Sequence, residues 1–204
     1  LKYKRKKLAE ICRGWLEFGT GASRCGPMHY NQQPQSVEQA MKTLHLLRHA
    51  KSSWDEPGLS DRERGLNKRG RRDAPRMGKA LARRMQPMPV HASPARRAQL
   101  TLVGLCDGWP ALADEEHSTD EALYTFSAED LFGWLQRQDD RHEALFILGH
   151  NPALTDLANA LAAGEGLANL PTAGYLELSL QIDRWRDLRQ GCANIEFSLF
   201  PRQL

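Results

Sequence analysis

The chain lacks any run of about eighteen apolar residues, so no membrane-spanning helix is expected and no membrane partner is implied. Its four cysteines, Cys12, Cys25, Cys106 and Cys192, are far apart and include no CxxC pair. Neither a zinc cluster nor a disulfide framework is suggested. Reduced thiols and a cytoplasmic location are the expectation. Charge of one sign is also scarce. A net charge of +3 over 204 residues permits an anionic substrate without demanding nucleic acid. Aromatics make up only 7% and supply no stacking platforms beside the basic stretches, so nucleic-acid binding through "KYKRKK" has little support. What is present in quantity is apolar material, at 41%, enough for the core of one ordinary domain.

Residues 1–40 differ from the rest. They contain "LKYKRKK", "GTGASRCGP" and "NQQPQS", with no sustained apolar period. "LAEICRGWLEFG" is broken by Glu10, Arg13 and Glu17, which argues against a secretory signal. It could form a short amphipathic helix. Met41 directly precedes the first convincing strand. We expect Met41 to be the natural start, 1–40 to be a disordered or non-native extension, and 41–204 to be the functional domain.

From Thr43 onward, strand-like and helix-like segments alternate. "TLHLLRH" reads as a buried strand, and "PVHAS" as a short one. "ALFILGH" is apolar throughout, as a strand covered on both faces would be. Between them, Ala74, Met77, Leu81 and Met85 recur at helical spacing, with Asn67 as N-cap. "PARRAQLTLVGLC" reads as a helix with Pro94 in its first turn. "SAEDLFGWLQRQ" reads as a helix capped by Ser127, with Asp130 in a capping-box position. "NPALTDLANALAAG" is a further helix. "YLELSLQI" and "IEFSLF" alternate apolar and polar residues, as strands joined by a turn. The expected fold class is α/β, a three-layer sandwich with a mostly parallel central sheet.

Ligands of such sheets bind beyond the carboxyl ends of the strands. Three strand ends here deliver Arg or His to one edge: Arg48-His49, "HASPARRA" and "GHNP". Arginines, imidazoles and helix N-termini together suit an anion with several oxygens, most simply a phosphoryl group. No cysteine is followed at the sixth position by arginine, which excludes cysteine-based phosphoryl transfer. Gly65 and Gly70 lie five apart, but the Lys-Ser/Thr ending of a phosphate-binding loop is missing and no strand feeds it.

At this point the resemblance is specific. "LLRHAKSSWDEPGLSDRERGLNKRG", then "SPARRAQLT", then "LGHNP" resemble the histidine phosphatase superfamily, in particular the small SixA-type phosphohistidine phosphatases. The likeness runs from about Thr43 to the C-terminus and implies a phosphoglycerate-mutase-like fold. It places the nucleophile at His49. A neutral imidazole nitrogen can attack phosphorus, and water can hydrolyse the phosphohistidine that results. His49 must be held in one tautomer for this. Arg48 would stabilise the equatorial oxygens. The pattern S-P-x-x-R-A-x-x-T makes Arg97 the second phosphate arginine and leaves Arg96 to solvent. His150 corresponds to the second histidine, donating a hydrogen bond to the phosphoryl group and protonated when phosphate is bound. Asn151 beside it and Arg64 in "SDRERGLN" are implied as further substrate-binding residues. The general acid is open between Glu121, the nearest counterpart of the acid in larger members, and Asp55 and Asp61.

Two positions depart from the family pattern. Ala50 stands where glycine is usual, and Leu100 where Gln or Glu is common. No metal or organic cofactor is implied. His45 and His49 could share a strand face as metal ligands, yet no third ligand is suggested, and His45 is expected to face helix or solvent. The expected function is hydrolysis of a phosphoryl group through a covalent phosphohistidine, with a phosphohistidine on a signalling protein as substrate. Alternatives are a small-molecule phosphomonoesterase and a non-catalytic module that binds a phosphorylated partner.

Overall fold

Apolar residues too dense for a surface strand place two segments at the centre of one sheet. The computed structural model describes residues 41–204 other than residues 163 and 165. The expectations for 1–40 lie outside the described residues. Strand β1 spans Lys42–Arg48 and β4 spans Ala144–Gly149. They pair in parallel from Thr43↔Ala144 to Arg48↔Gly149. Strands β2 (His91–Ala92), β3 (Ser118–Thr119), β5 (Tyr175–Leu180) and β6 (Ala193–Leu199) complete the order β3-β2-β4-β1-β5-β6. The first four strands in that order run parallel, while β5 and β6 are antiparallel to their neighbours.

Side chains alternate across the sheet, and each face carries its own core. Leu44, Leu46, Leu145 and Ile147 pack with helices α3 (Ala128–Gln136) and α4 (Ala153–Leu161). Leu47, Phe146, Leu148 and Tyr175 pack with helices α1 (Lys68–Leu81) and α2 (Arg96–Gly108). The result is the three-layer α/β sandwich expected. The alternating β5 is largely buried on both faces. Its polar Glu177 is half-buried and receives the Arg84 guanidinium at 3.0 and 3.1 Å.

Helix ends follow the capping chemistry in part. Asn67 Oδ1 accepts the Gly70 amide at 2.9 Å, and Ser127 Oγ accepts the Asp130 amide at 3.3 Å. The Asp130 carboxylate does not complete a capping box; it accepts the Thr125 hydroxyl at 2.6 Å. Helix α2 begins at Arg96, so Pro94 precedes the first turn instead of occupying it. Helices α1 and α2 meet closely. A Cβ on Gly78 would collide with the Leu105 carbonyl, and one on Gly108 with that of Pro75.

The segment after β1 folds back on itself. Ser53 N–H donates to the Gly65 carbonyl at 2.8 Å, and Asn67 N–H to that of Lys51 at 3.0 Å. This return carries Asp61 to the edge where β1, β2 and β4 end.

Candidate active site

Because β1, β2 and β4 are parallel neighbours, their carboxyl ends share one edge. There β1 ends in Arg48 and His49, β2 leads to Ser93, and β4 leads to His150 and Asn151. The first turn of α2 adds Arg97.

His49 is almost fully buried. Its Nδ1–H donates to the Ala50 carbonyl at 2.8 Å, and its Nε2 accepts from Arg97 Nε at 3.2 Å. Both contacts require the same neutral tautomer, with the lone pair on Nε2. Burial pulls the pKa down to about 3, and the charges of Arg97 and Arg48 push the same way. The Ala50 carbonyl and Asp61 oppose them. A neutral ring with its lone pair on Nε2 is the nucleophilic form of imidazole, and a phosphoryl group would take the place of Arg97 Nε there.

His150 lies beside it, with ring centroids 5.0 Å apart. Its Nδ1 accepts from Arg97 Nη2 at 3.2 Å, so Nε2–H donates to Ser93 Oγ at 2.7 Å. Burial, then the neighbouring His49 and Arg97, lower its pKa to about 3. The ring is therefore neutral in this arrangement. The dianionic charge of a bound phosphoryl group is what would favour the protonated donor implied by resemblance.

Arg97, also buried, organises the cluster. Besides the two histidines it binds Asp61 twice, through Nη2 to Oδ2 at 2.8 Å and through Nη1 to the backbone carbonyl. The Arg97 carbonyl accepts the Thr101 hydroxyl at 2.6 Å, and Thr101 Oγ1 accepts the Ala50 amide at 2.9 Å. Thr101 thus ties the helix that carries Arg97 to the backbone that carries His49. Ala50 meets no strain in glycine's place. Among the described residues, Ala173 is the one non-glycine position with positive φ.

Arg48 turns its Nη1 to the Leu170 carbonyl at 2.8 Å and to Asn169 Oδ1 at 3.4 Å. Asn151 Nδ2 uses the same two acceptors, at 3.1 and 2.8 Å, together with Thr155 Oγ1 at 2.7 Å. Arg48 Nε and Asn151 Oδ1 are buried with no hydrogen-bond partner among the described residues. Groups of this kind are costly to leave unpaired, and their presence at a candidate site calls for a ligand or a solvent partner. Burial, then repulsion from Arg97, lowers the Arg48 pKa.

The candidates for general acid separate clearly. Asp61 joins the cluster, holding Arg97, accepting the Tyr124 hydroxyl at 2.9 Å and lying 3.4 Å from Arg64. Partial burial works against its charge. The hydrogen bonds from Arg97 and Tyr124, with the charges of Arg97 and Arg64, still hold its pKa below the ordinary value. Glu121 is exposed and paired with Arg62 at 2.5 Å, with no hydrogen bond to His49, Arg97 or His150 among the described residues. Asp55 is exposed and accepts the Ser53 hydroxyl. Among the described residues Arg64 reaches the cluster through Asp61 alone, and its guanidinium stacks 3.7 Å from the centre of the Trp54 ring.

Ser93, Thr101 and Tyr124 were not singled out by sequence. Ser93 and Thr101 do lie within the "SPARRAQLT" segment as hydroxyls in a motif otherwise read for its arginines. His45 faces the α1 side, buried, within 2.7 Å of the Tyr175 hydroxyl. Among the described residues no group of three or more His, Cys, Asp or Glu side chains is placed to hold a metal.

Comparison with known proteins places the chain in a family. The chain is 30% identical over 166 residues to the uncharacterized protein Rv1276c of Mycobacterium tuberculosis, covering 76% of this chain and 100% of that one. Among solved structures it is similar to a protein assigned as SixA phosphohistidine phosphatase from Agrobacterium tumefaciens. That match has a TM-score of 0.64 at 24% identity and covers 78% and 98% of the two chains. A similar likeness holds for the protein histidine phosphatase SixA complexed with tungstate, at TM-score 0.65 and 19% identity, covering 79% and 98%. Mycobacterial glucosyl-3-phosphoglycerate phosphatase Rv2419c shares the fold at TM-score 0.54 and 15% identity, covering 76% and 97%. The sequence profile of the histidine phosphatase superfamily (branch 1) matches residues 44–156, a span that holds the carboxyl ends of β1, β2 and β4, and the chain belongs to that superfamily.

Proposed function

We propose that this protein is a phosphatase that acts through a phosphohistidine at His49 and removes phosphate from protein phosphohistidine. One observation carries the reading. Two independent contacts fix His49 in the Nδ1–H tautomer, with its Nε2 lone pair directed at Arg97, and burial favours the neutral ring.

In the proposed reaction the Nε2 lone pair forms a bond to phosphorus while the bond from phosphorus to the leaving atom breaks. The bonding pair stays with the leaving atom, which takes a proton. Water then attacks the phosphoryl group on His49, releasing inorganic phosphate and restoring the neutral ring. Arg97 and Arg48 bind the equatorial oxygens, Arg64 and Asn151 stand at the edge, and His150 adds a donor once protonated. Arg48 Nε is already a buried donor without a partner among the described residues.

The choice of substrate rests on the carboxylates. An alkoxide leaving group needs an acid, while a phosphoramidate nitrogen can be protonated beforehand in solution. Glu121 is exposed and engaged by Arg62, and Asp61 is held ionised against Arg97. Neither is poised as an acid. With phosphohistidine as substrate, the bond made and the bond broken are of one kind, so the first step needs little driving force. The domain we assign to this activity is 41–204.

The test is hydrolysis of a phosphohistidine peptide and of p-nitrophenyl phosphate, side by side in EDTA, with His49→Ala as control. Fast loss of the N–P phosphate, slow loss of the ester and neither in the variant is the expected result. Equal rates would point to a phosphomonoesterase with a working acid such as Glu121. Binding without turnover would favour a phospho-partner module, and activity surviving His49→Ala would overturn the nucleophile.

A further inference from the structure

A phenylalanine half in solvent beside a fully buried catalytic histidine is an uneconomical use of apolar surface. Phe126 is such a residue. It is 48% exposed, whereas His150 is 1% exposed. Its ring centroid lies 5.7 Å from that of His150 at an interplanar angle of 51°. It meets Tyr124 edge-on at 5.8 Å and 68°, and Tyr124 in turn meets His150 edge-on at 5.5 Å and 84°. The three rings form one corner, with His150 at its base and Phe126 at its outer rim. Phe126 sits in the short link before α3 and belongs to neither core cluster.

We infer that Phe126 is a specificity-determining residue that selects a flat, aromatic leaving group by stacking against it. This deepens the phosphatase reading and rests on it. An in-line attack by His49 Nε2 expels the leaving group on the side away from His49. Phe126, exposed at the rim of the corner that His150 floors, is the ring a leaving group departing from the buried pair toward solvent would meet. An imidazole has the planar face and the size to pack on Phe126 in the offset or edge geometries aromatic pairs prefer.

Charge around the corner points the same way. Beyond Tyr124 lies a cavity of about 440 Å³ lined by Glu121, Glu129, Asp130 and Arg137; Arg62, paired with Glu121, lies 5.6 Å from the Tyr124 ring, which leaves carboxylates in surplus. Carboxylates there favour a leaving group that gains a proton, as an imidazole nitrogen does. They disfavour an acidic one such as a sugar acid.

The experiment measures kcat/KM for a phosphohistidine peptide and for phosphoramidate, whose leaving group is ammonia without a ring. The readout is the ratio of the two, in the wild-type chain and in Phe126→Ala, Phe126→Leu and Phe126→Tyr. The exposed position leaves the fold intact, which circular dichroism verifies. Loss of one aromatic stacking contact should lower the ratio by about threefold to tenfold in the Ala and Leu variants. Phe126→Tyr should keep it. An unchanged ratio in Phe126→Ala, or a ratio retained by Leu as fully as by Tyr, overturns the inference while leaving the phosphatase reading in place. Failure of the wild-type chain on both substrates overturns the two together.

Discussion

Replacing Asp61 by asparagine exposes a competition built into the cluster. Arg97 has five N–H donors, and four are engaged by His49, His150 and two oxygens of Asp61. A phosphoryl group at His49 has to take over donors now held by protein groups. The Asp61 carboxylate is the charged competitor, 2.8 Å from Arg97 Nη2. A hydrogen bond between charged groups contributes about 1.5–3 kcal/mol in a buried setting. The Asp61 side chain is 42% exposed, so solvent screening reduces this to about 1 kcal/mol. Asparagine keeps the oxygen acceptor and removes the charge. Asp61→Asn should therefore bind tungstate or inorganic phosphate about fivefold more tightly at equilibrium. Titration calorimetry at pH 7 measures it. The Asp61 pKa lies below its ordinary value, so the same ratio should hold from about pH 5 to pH 8. Weaker or unchanged binding would show that Asp61 positions Arg97 for phosphate instead of competing with it.

Thr101→Val keeps the side-chain volume but leaves the buried Ala50 amide without an acceptor. The expected loss is about 1–3 kcal/mol in a urea unfolding curve, and no loss would mean another acceptor replaces Thr101. Ala50→Gly restores the common family triplet, yet Ala50 has an ordinary backbone conformation. It should cost about 0.5–1 kcal/mol of stability and yield no gain in kcat, whereas a clear gain would mean that Ala50 restrains the nucleophile. Three buried histidines set an acid limit. His45 has a pKa lowered by burial to about 4, and His49 and His150 are lowered to about 3. Above pH 6.5 folded and unfolded chains are both neutral at these sites. Below it the unfolded chain takes up protons that the folded chain refuses. Stability should fall as pH drops from about 6.5 toward 4, by up to about 1.4 kcal/mol per unit for each histidine. Urea midpoints at pH 7, 6 and 5 measure this, and a flat profile would contradict the burial of the rings.

The parts of the candidate site that lie on strand ends are legible in sequence as neighbours. Arg48, His49 and His150 follow apolar runs whose character announces buried parallel strands, and Arg97 stands in a motif at helical spacing. What was not legible depends on how distant segments return. Asp61 reaches Arg97, 36 residues away, only because the segment after β1 folds back from Ser53 to Gly65. His45 and the Tyr175 hydroxyl are 130 residues apart and meet through the antiparallel pairing of β1 with β5. Nothing in either local pattern signals that contact. Strand β2 shrinks to His91–Ala92, because only those two residues align with Ile147 and Leu148. Strand β3 is two exposed residues with no apolar period to reveal it. Glu121, chosen by likeness to larger proteins, lies in a 3-10 turn whose side chain points to Arg62, and sequence carries no record of that direction.

The covalent intermediate tests the central claim most directly. The chain would be mixed with a phosphohistidine peptide and quenched within milliseconds in alkali, which preserves phosphohistidine. Peptide mass spectrometry would then locate the phosphoryl group. One phosphoryl group on the peptide containing His49, absent from His49→Ala, is the predicted result. A phosphoryl group on another residue, or rapid turnover with none on the protein at any time, would contradict it.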